Sequence, residues 1–581
     1  MSTELVATDA LQVAAAAQYR IADCLSRSRN FLVEAGAGAG KTESLIEALR
    51  FLRSSPPKVL QRGRRVACIT FTNVAKKEIL ARTDSDPRFF VATIHEFFWS
   101  VIQPFQNELR EMLDPEKFEK ALQKSEIENF SDQKVEYSLG YRQVNESIIS
   151  IHHDDVPALA AQLLSRPKFV TRLKSEYPIV LIDEYQDTNG VLAKAIVAHC
   201  ITPAKGPVFG FFGDVWQQIH PDSVGQISHN NLEVITKGTN FRSGEPVVRA
   251  LNAMRPELIQ ALPSTKVEGG THVFHTDQWL SGRVSGPHTQ NDLNPELVDL
   301  ALEKVHELLK KDGWDFSPDK TKTLILTHKS IAARQGYPQI ENIFKNSDDF
   351  AKLKNPILRF LVEDVKVALD YFSAGHTGQV FEALGMKRPE LRRASDKAHL
   401  RDALLQVMNE TKTGTVGTVL TLLNDDPLDL PADVRQRLNE LADLGEDEER
   451  SPRQVELETL LGVNYREIGA LSEYIGHHSP YETKHGVKGS QFENVLILLG
   501  GGWNMYNFPR FLAYASDPSE VTKAHQAGYS RARNLFYVCA SRPKTNLALL
   551  FTQQLNPAAH DVLESWFGAG NVHSLASPET I

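Results

Sequence analysis

The 581-residue chain has only four cysteines, Cys24, Cys68, Cys200 and Cys539, and they lie too far apart to form a C-x-x-C pair. That spacing excludes a cysteine-built zinc or iron–sulfur framework and fits a reducing compartment. No stretch reaches the roughly 18 consecutive apolar residues of a membrane span. The N-terminal MSTELVATDALQVAAAAQYR also lacks a basic segment followed by an apolar run. A soluble, cytoplasmic protein with no membrane partner is expected. A basic excess is missing too: 64 Lys plus Arg face 73 Asp plus Glu, giving a formal net charge of −9. This excludes a surface that coats a polyanion everywhere, but not a local basic groove. No repeat with a period of about 20–50 residues is visible, which removes solenoids and propellers.

What is present is alternation. Short β-branched or aromatic runs recur at 30–35, 65–71, 178–184, 207–214, 271–276, 322–328, 493–500 and 544–551. Between them lie segments of helical period, such as TESLIEALRFLR (42–53), where Leu45, Ile46, Leu49 and Leu52 share one stripe. The pattern predicts an α/β fold whose parallel sheets carry helices on both faces. The runs divide at about residue 230 into two groups, hence two α/β domains. Two mostly helical stretches, 101–175 and 339–472, interrupt them as insertions, and the acidic segment 424–453 is expected to be partly loop.

The strongest feature is VEAGAGAGKTESL, a strand running into a glycine-rich turn and then a helix starting near Lys41. Glycines at Gly36, Gly38 and Gly40 let backbone N–H groups turn onto phosphate oxygens, and the helix N-terminus adds partial positive charge. Lys41 reaches the β/γ-phosphates and Thr42 ligates Mg²⁺ in such a loop. The usual pattern opens on glycine, whereas Ala35 stands there. PIVLIDEYQDT then places Asp183 and Glu184 at the end of an apolar strand. Two adjacent carboxylates divide the labour of hydrolysis, Asp183 holding the metal and Glu184 orienting or deprotonating the attacking water.

These motifs do not stand alone. AGAGAGKT (35–42), ITFTNVAKKEILAR (69–82), ATIHEF (92–97), VLIDEYQDTN (180–189), FGDVWQQI (212–219), TNFRS (239–243), TKHGVKGSQFENV (483–495) and RARNLFYVCASR (531–542) occur in that order. The chain thereby resembles the UvrD/Rep-like superfamily 1A DNA helicases from about residue 18 to 550.

The resemblance implies two RecA-like P-loop NTPase domains. Domain 1A would take 1–100 and 176–235, with insertion 1B at 101–175. Domain 2A would take 236–338 and 473–560, with a compact insertion 2B at 339–472 and a tail at 561–581. It further implies ATP and Mg²⁺ between the two domains and single-stranded or partly duplex DNA across them. By the same likeness the backbone of Ala35, Gly36, Ala37, Gly38, Ala39 and Gly40 holds phosphates, Gln18 and Phe241 hold adenine, and Gln491 lies near the ribose. Gln217 would sense the γ-phosphate, and Arg242 and Arg542, supplied by the second domain, would stabilise the transition state as arginine fingers do. Phe71, Thr72, Asn73, Thr93, His95, Thr483, His485 and Lys488 would line the DNA strand, with the aromatic stacking on bases and the polar groups meeting phosphates.

The sequence also departs from the family. IHPDSVG (219–225) puts His220 in a tyrosine position and has no second stacking aromatic, which lessens the expected grip on bases. Gln491 replaces a carboxylate. The segment after Arg542 is expected to hold no nuclease domain, so any nuclease is expected from a partner chain. The pairs His152–His153 and His477–His478 lack a third ligand and are not read as metal sites. Two functions follow from the likeness: an ATP-dependent 3′→5′ DNA helicase or translocase, or an ATP-gated DNA-binding regulatory subunit of a nuclease complex. The size and layout also resemble the Gabija-type helicase subunits of antiphage defence.

Overall fold

The computed structural model describes residues 9–577 apart from 61–62, 126, 128, 131, 139–141, 204, 220–222, 265–267, 287–290, 326–327, 345–346, 386–392, 426–427, 444–449, 477–478, 484–488 and 502–505. The chain divides into two compact units. The first comprises Met1–His272, Met505–Asn546 and Asn556–Val572, and the second comprises Val273–Asn504, Leu547–Leu555 and His573–Ile581. The first therefore runs past residue 235 and takes in two later segments, so Arg242 and Arg542 lie in the same unit as Lys41.

The first unit is built on a six-stranded sheet with the order Phe89–Thr93, Val66–Thr70, Ile179–Asp183, Val208–Gly213, Asn30–Ala35, Leu232–Lys237. Every neighbouring pair is parallel, with Phe31 opposite Gly210 and Glu233, and Ile179 opposite Val66 and Val208. Each strand feeds two cores because successive side chains point to opposite faces. Phe31, Val33, Cys68, Leu181 and Phe212 join Leu45, Ile46 and Leu49 of helix Lys41–Ser54 on one face. Leu32, Ala67, Ile69, Val180, Ile182, Phe209 and Phe211 meet Phe97, Phe98, Leu159 and Leu163 on the other. The near-continuous apolar runs in the sequence reflect this burial on both faces.

The insertion at 101–175 holds the helices Gln106–Met112, Asp155–Leu164 and Pro167–Glu176, as expected from its composition. It also holds a small sheet, ordered Lys134–Tyr137, Ile148–Ile151, Gln143–Val144, which the helical reading did not anticipate. These strands are two to four residues long. They are held by only a few inward side chains, among them Val135, Ile149 and Ile151, too few to give a readable period.

A second six-stranded sheet, ordered Tyr481–Thr483, Thr321–Ile325, Phe492–Leu499, Pro543–Phe551, Thr271–His275, Val572–Ser574, belongs to the second unit except for residues 271–272, 543–546 and 572. Strand Thr321–Ile325 pairs in parallel with both of its neighbours. A helical array running from Pro338–Ile343 to Arg466–Ile475 shares one apolar core with it, through Leu358, Leu361, Val365, Leu404, Val419 and Leu471. The helical expectation for 339–472 is met, and Ala432–Ala442 and Pro452–Leu461 are the helical parts of the acidic segment. Among the described residues no helix is long and apolar enough to cross a membrane.

Gly210 occupies a central strand where an added Cβ would lie 2.4 Å from Phe31 Cζ and 2.8 Å from Leu181 Cδ2. Gly210→Ala is expected to destabilise the first unit by about 1–3 kcal/mol through overpacking. Urea unfolding followed by tryptophan fluorescence reads this out, and an unchanged midpoint would refute it.

Candidate nucleotide site

The glycine-rich turn is formed as the sequence requires. Gly38 and Gly40 adopt φ of +75° and +74°, a left-handed backbone that side chains other than glycine rarely take. A Cβ on Gly36 would fall 2.3 Å from Gln260 Nε2, and one on Gly38 2.5 Å from Asn240 Oδ1. Ala35, at the family's opening glycine, is the last residue of the strand and fully buried, so a methyl group is accommodated there within the sheet.

The outer side of the turn is clamped by a segment remote in sequence. Ala37 O accepts from Gln260 Nε2 at 2.8 Å and Asn240 Nδ2 at 3.2 Å, and Ala39 O accepts from Thr239 Oγ1 at 3.2 Å. The amide of Phe241 donates to Gly38 O at 2.9 Å, leaving the Phe241 ring beside the turn and 43% exposed. Lys237, buried, donates to Gly40 O at 3.1 Å and Ser44 Oγ at 2.7 Å. Burial, with help from the nearby Lys41, pushes the Lys237 ammonium pKa down to about 8.

Lys41 begins the following helix and is buried, with Nζ 3.8 Å from Glu184 Oε1. Thr42, next to it, is half-buried. Burial, and then the Glu184 carboxylate, raise Asp183 above the usual carboxylate range, while Lys41 pulls it back. Glu184 has φ of +48°. Such a left-handed backbone costs a non-glycine residue about 1–2 kcal/mol, a strain typical of functional positions. Gln186 Nε2 holds Glu184 Oε2 at 2.5 Å. A buried acid beside a second carboxylate, with one lysine opposed, suits a divalent cation. The glycine cradle, which has no space for a Cβ at 36 or 38, suits phosphate oxygens. The residues present therefore fit Mg²⁺–ATP.

From Glu184 a hydrogen-bonded path leads to the arginines. Gln186 Oε1 accepts from the Asp214 amide at 3.0 Å, Asp214 Oδ2 accepts from Gln217 Nε2 at 2.7 Å, and Gln217 Oε1 accepts from Arg542 Nη2 at 3.1 Å. Arg542 is almost fully buried, with Nε donating to Val538 O at 2.8 Å. Arg242 donates to Ser541 O at 3.0 Å. Burial lowers the pKa of both guanidinium groups, and for Arg242 the neighbouring Arg542 adds to the effect. The Glu184 carboxylate opposes the shift at both arginines.

Sequence reasoning missed the residue that joins these parts. Arg255 is 4% exposed and bridges Asp214 Oδ1 at 2.5 Å and Glu34 Oε1 at 2.7 Å, and Tyr185 Oη completes Glu34 at 3.2 Å. The only available signal was Glu34, a charge inside an apolar strand. Asn240, Gln260 and Lys237 were also missed, being isolated polar residues with no motif of their own.

The other expected contacts are placed as follows. Gln18 is half-buried on helix Ala10–Ser26 and makes no side-chain hydrogen bond among the described residues. Phe71, 41% exposed, follows strand Val66–Thr70, and Thr72 caps helix Asn73–Arg82 by accepting from the Ala75 amide at 3.2 Å. Thr93 forms a capping box with Glu96 at the start of helix Ile94–Ile102. His95 stacks on His153 with ring centroids 3.4 Å apart, and His153 Nδ1 meets Tyr137 Oη at 2.7 Å. Gln491 is exposed and belongs to the second unit. His220, His485, Lys488, His477–His478 and the Thr483 side chain lie outside the described residues.

The geometry defines a P-loop NTPase site, and residues 18–222 match the family model for the AAA domain. The chain is similar to Gabija protein GajB of Bacillus cereus strain HuB5-5, at 24% identity over 94% of this chain and 96% of that protein. It is also 30% identical to Gabija protein GajB of Bacillus cereus strain VD045, over 28% of this chain and 32% of that one. The resemblance read from the ordered motifs is met by these comparisons.

Two outcomes follow from the electrostatics. Arg255→Met strands Glu34 and Asp214 as buried carboxylates and should cost about 3–5 kcal/mol in urea unfolding near neutral pH. The deficit should shrink as falling pH protonates Glu34, whose carboxyl burial already holds above its usual range, and a pH-independent deficit would refute the assignment. Burial and His153 push the His95 imidazole pKa down to about 4. The unfolded value is about 6.5, so the unfolded chain binds the extra proton between these values. The contribution of His95 is complete above pH 6.5 and lost as pH falls towards 4. His95→Phe should therefore flatten the decline of Tm between pH 7 and pH 5.

Proposed function

We propose that this chain is an ATP-dependent motor that moves 3′→5′ on single-stranded DNA, powered by ATP hydrolysis. The supporting observation is the unbroken path Glu184–Gln186–Asp214–Gln217–Arg542, which ties the base for hydrolysis to a buried arginine. Nucleotide binding alone needs neither Glu184 nor that link.

In this reading Lys41 and the backbone of 36–40 bind the phosphates. Thr42 and Asp183 would hold Mg²⁺, which would supply charge neutralisation for the phosphates. Glu184 accepts the proton of the attacking water, and its fixed position removes the reorientation that a free carboxylate would need. Arg242 and Arg542 stabilise charge on the transferred phosphoryl group, and Gln217 reports its presence to Asp214. Phe241 stacks on the base, Gln18 reads its edge and Gln491 lies towards the ribose. Phe71 offers a base-stacking face. Thr72, Asn73, Thr93, Thr483, His485 and Lys488 contact the strand without reading its sequence, while His95 acts as a neutral hydrogen-bonding ring.

A second reading, an ATP-gated regulatory subunit of a nuclease complex in antiphage defence, is favoured by IHPDSVG (219–225), which has no stacking aromatic, and by the similarity to Gabija protein GajB. In that case the partner is a nuclease subunit and unwinding is weak.

Steady-state ATPase with and without single-stranded DNA tests the proposal. Strong stimulation by DNA is expected, and Glu184→Gln should slow turnover at least about a hundredfold while retaining nucleotide binding. DNA binding without any ATPase would transfer support to the gated subunit, and near-normal turnover of Glu184→Gln would remove the general base.

A further inference from the structure

Beside the nucleotide site, and within the first unit, lies a cavity of about 460 Å³ walled by Trp216, Phe511, Tyr529, Phe536 and Trp566, with Arg533 on its lining. Its volume falls in the range of small-molecule sites, about 300–1,000 Å³. The walls are mutually braced. Phe511 lies 5.6 Å from Phe536 and from Tyr529, and Trp566 lies 6.0 Å from Phe536, all between ring centroids. The flat faces are therefore fixed by packing.

Arg533 is the unusual member. Its guanidinium stacks over Trp216 at 4.2 Å, and its only side-chain hydrogen bonds among the described residues go to the Asn534 amide oxygen, at 2.9 and 3.1 Å. No carboxylate among the described residues forms an ion pair with it. Glu257 also lines the cavity, but it is more than half exposed and pairs with Arg255 at 3.4 Å. Arg533 is partly buried, and Glu257 and Asp214 act on its charge only from a distance, without an ion pair; a planar cation against an aromatic floor presents its free edge to an anion.

From this geometry we infer that the cavity is a binding site for a small flat aromatic molecule bearing an anionic group, of the nucleoside monophosphate class. The ring inserts between the aromatic walls and the anion meets Arg533. The site is separate from the P-loop, yet shares a wall with it. Trp216 adjoins Gln217 in sequence, and Tyr537, on the same lining, accepts a hydrogen bond from the Ala37 amide at 3.3 Å. Occupancy thereby bears on Gln217 and on the phosphate loop.

The test is titration of the full chain with thymidine 5′-monophosphate, read by tryptophan fluorescence, alongside thymidine, inorganic phosphate and indole-3-acetate. Saturable quenching by the monophosphate is expected, with thymidine and phosphate alone much weaker. Comparable binding of indole-3-acetate would assign the site to aromatic carboxylates as the source of the same chemistry. Arg533→Met should weaken binding at least about tenfold, as expected for the loss of one charge-assisted hydrogen bond. Ala515→Trp, which fills the cavity from its rim, should do the same with Arg533 intact, and Lys41→Ala should leave the titration unchanged. Binding lost in Lys41→Ala but kept in the other two variants would place the ligand at the P-loop and overturn the inference, as would an absence of saturable binding.

Discussion

Three carboxylates sit at or beside the ends of parallel strands in the first unit, and the site depends on how their burial is compensated. Glu34, Asp183 and Asp214 cannot all remain charged in a dry interior without cations among them. Arg255 answers Glu34 and Asp214, and Lys41 answers Asp183 and Glu184. Each compensation also fixes a position. Asp214, held by Arg255, orients the amide of Gln217, and that amide orients Arg542. The neutralisation that permits folding is thus the same set of contacts that fixes Glu184, Gln217 and Arg542 in place.

The backbone contributes a second constraint. Glu184 is the turning point between a buried strand and a one-turn helix, and its left-handed conformation aims the carboxylate at Lys41. The strain is tolerated because Gln186, with no exposed surface, holds the Glu184 carboxylate on one side and the Asp214 amide on the other. The Glu184 carboxylate is therefore positioned by the interior, independently of solvent-exposed loops.

Much of this was legible in the residues. Apolar runs of strand length marked the sheet because its central strands are buried on both faces, and glycines at alternate positions marked the phosphate turn because Gly38 and Gly40 take a left-handed backbone and Gly36 has no room for a Cβ. Arg255 was not legible. It follows helix Glu245–Met254 in AMRPE, where an arginine normally reads as a solvated helix end, and its partners are 41 and 221 residues away. The clamp of Asn240 and Gln260 was hidden for the same reason, since a single amide has no period. His95 was placed by likeness along a DNA path, whereas its stacking on His153 depends on how the insertion packs back onto the sheet, which local sequence does not encode.

The clamp also sets an order of assembly. The strand, the glycine turn and helix Lys41–Ser54 are complete in sequence before residue 55, but the groups that hold the turn's carbonyls come from Thr239, Asn240 and Gln260. The hydroxyl on the Ala37 amide comes from Tyr537, 500 residues downstream. Because a chain emerges N-terminus first and long-range contacts close last, the phosphate loop acquires its full set of supports only when most of the polypeptide exists. A growing chain thus carries the glycine signature long before it carries a rigid cradle, and nucleotide competence is deferred to the finished molecule.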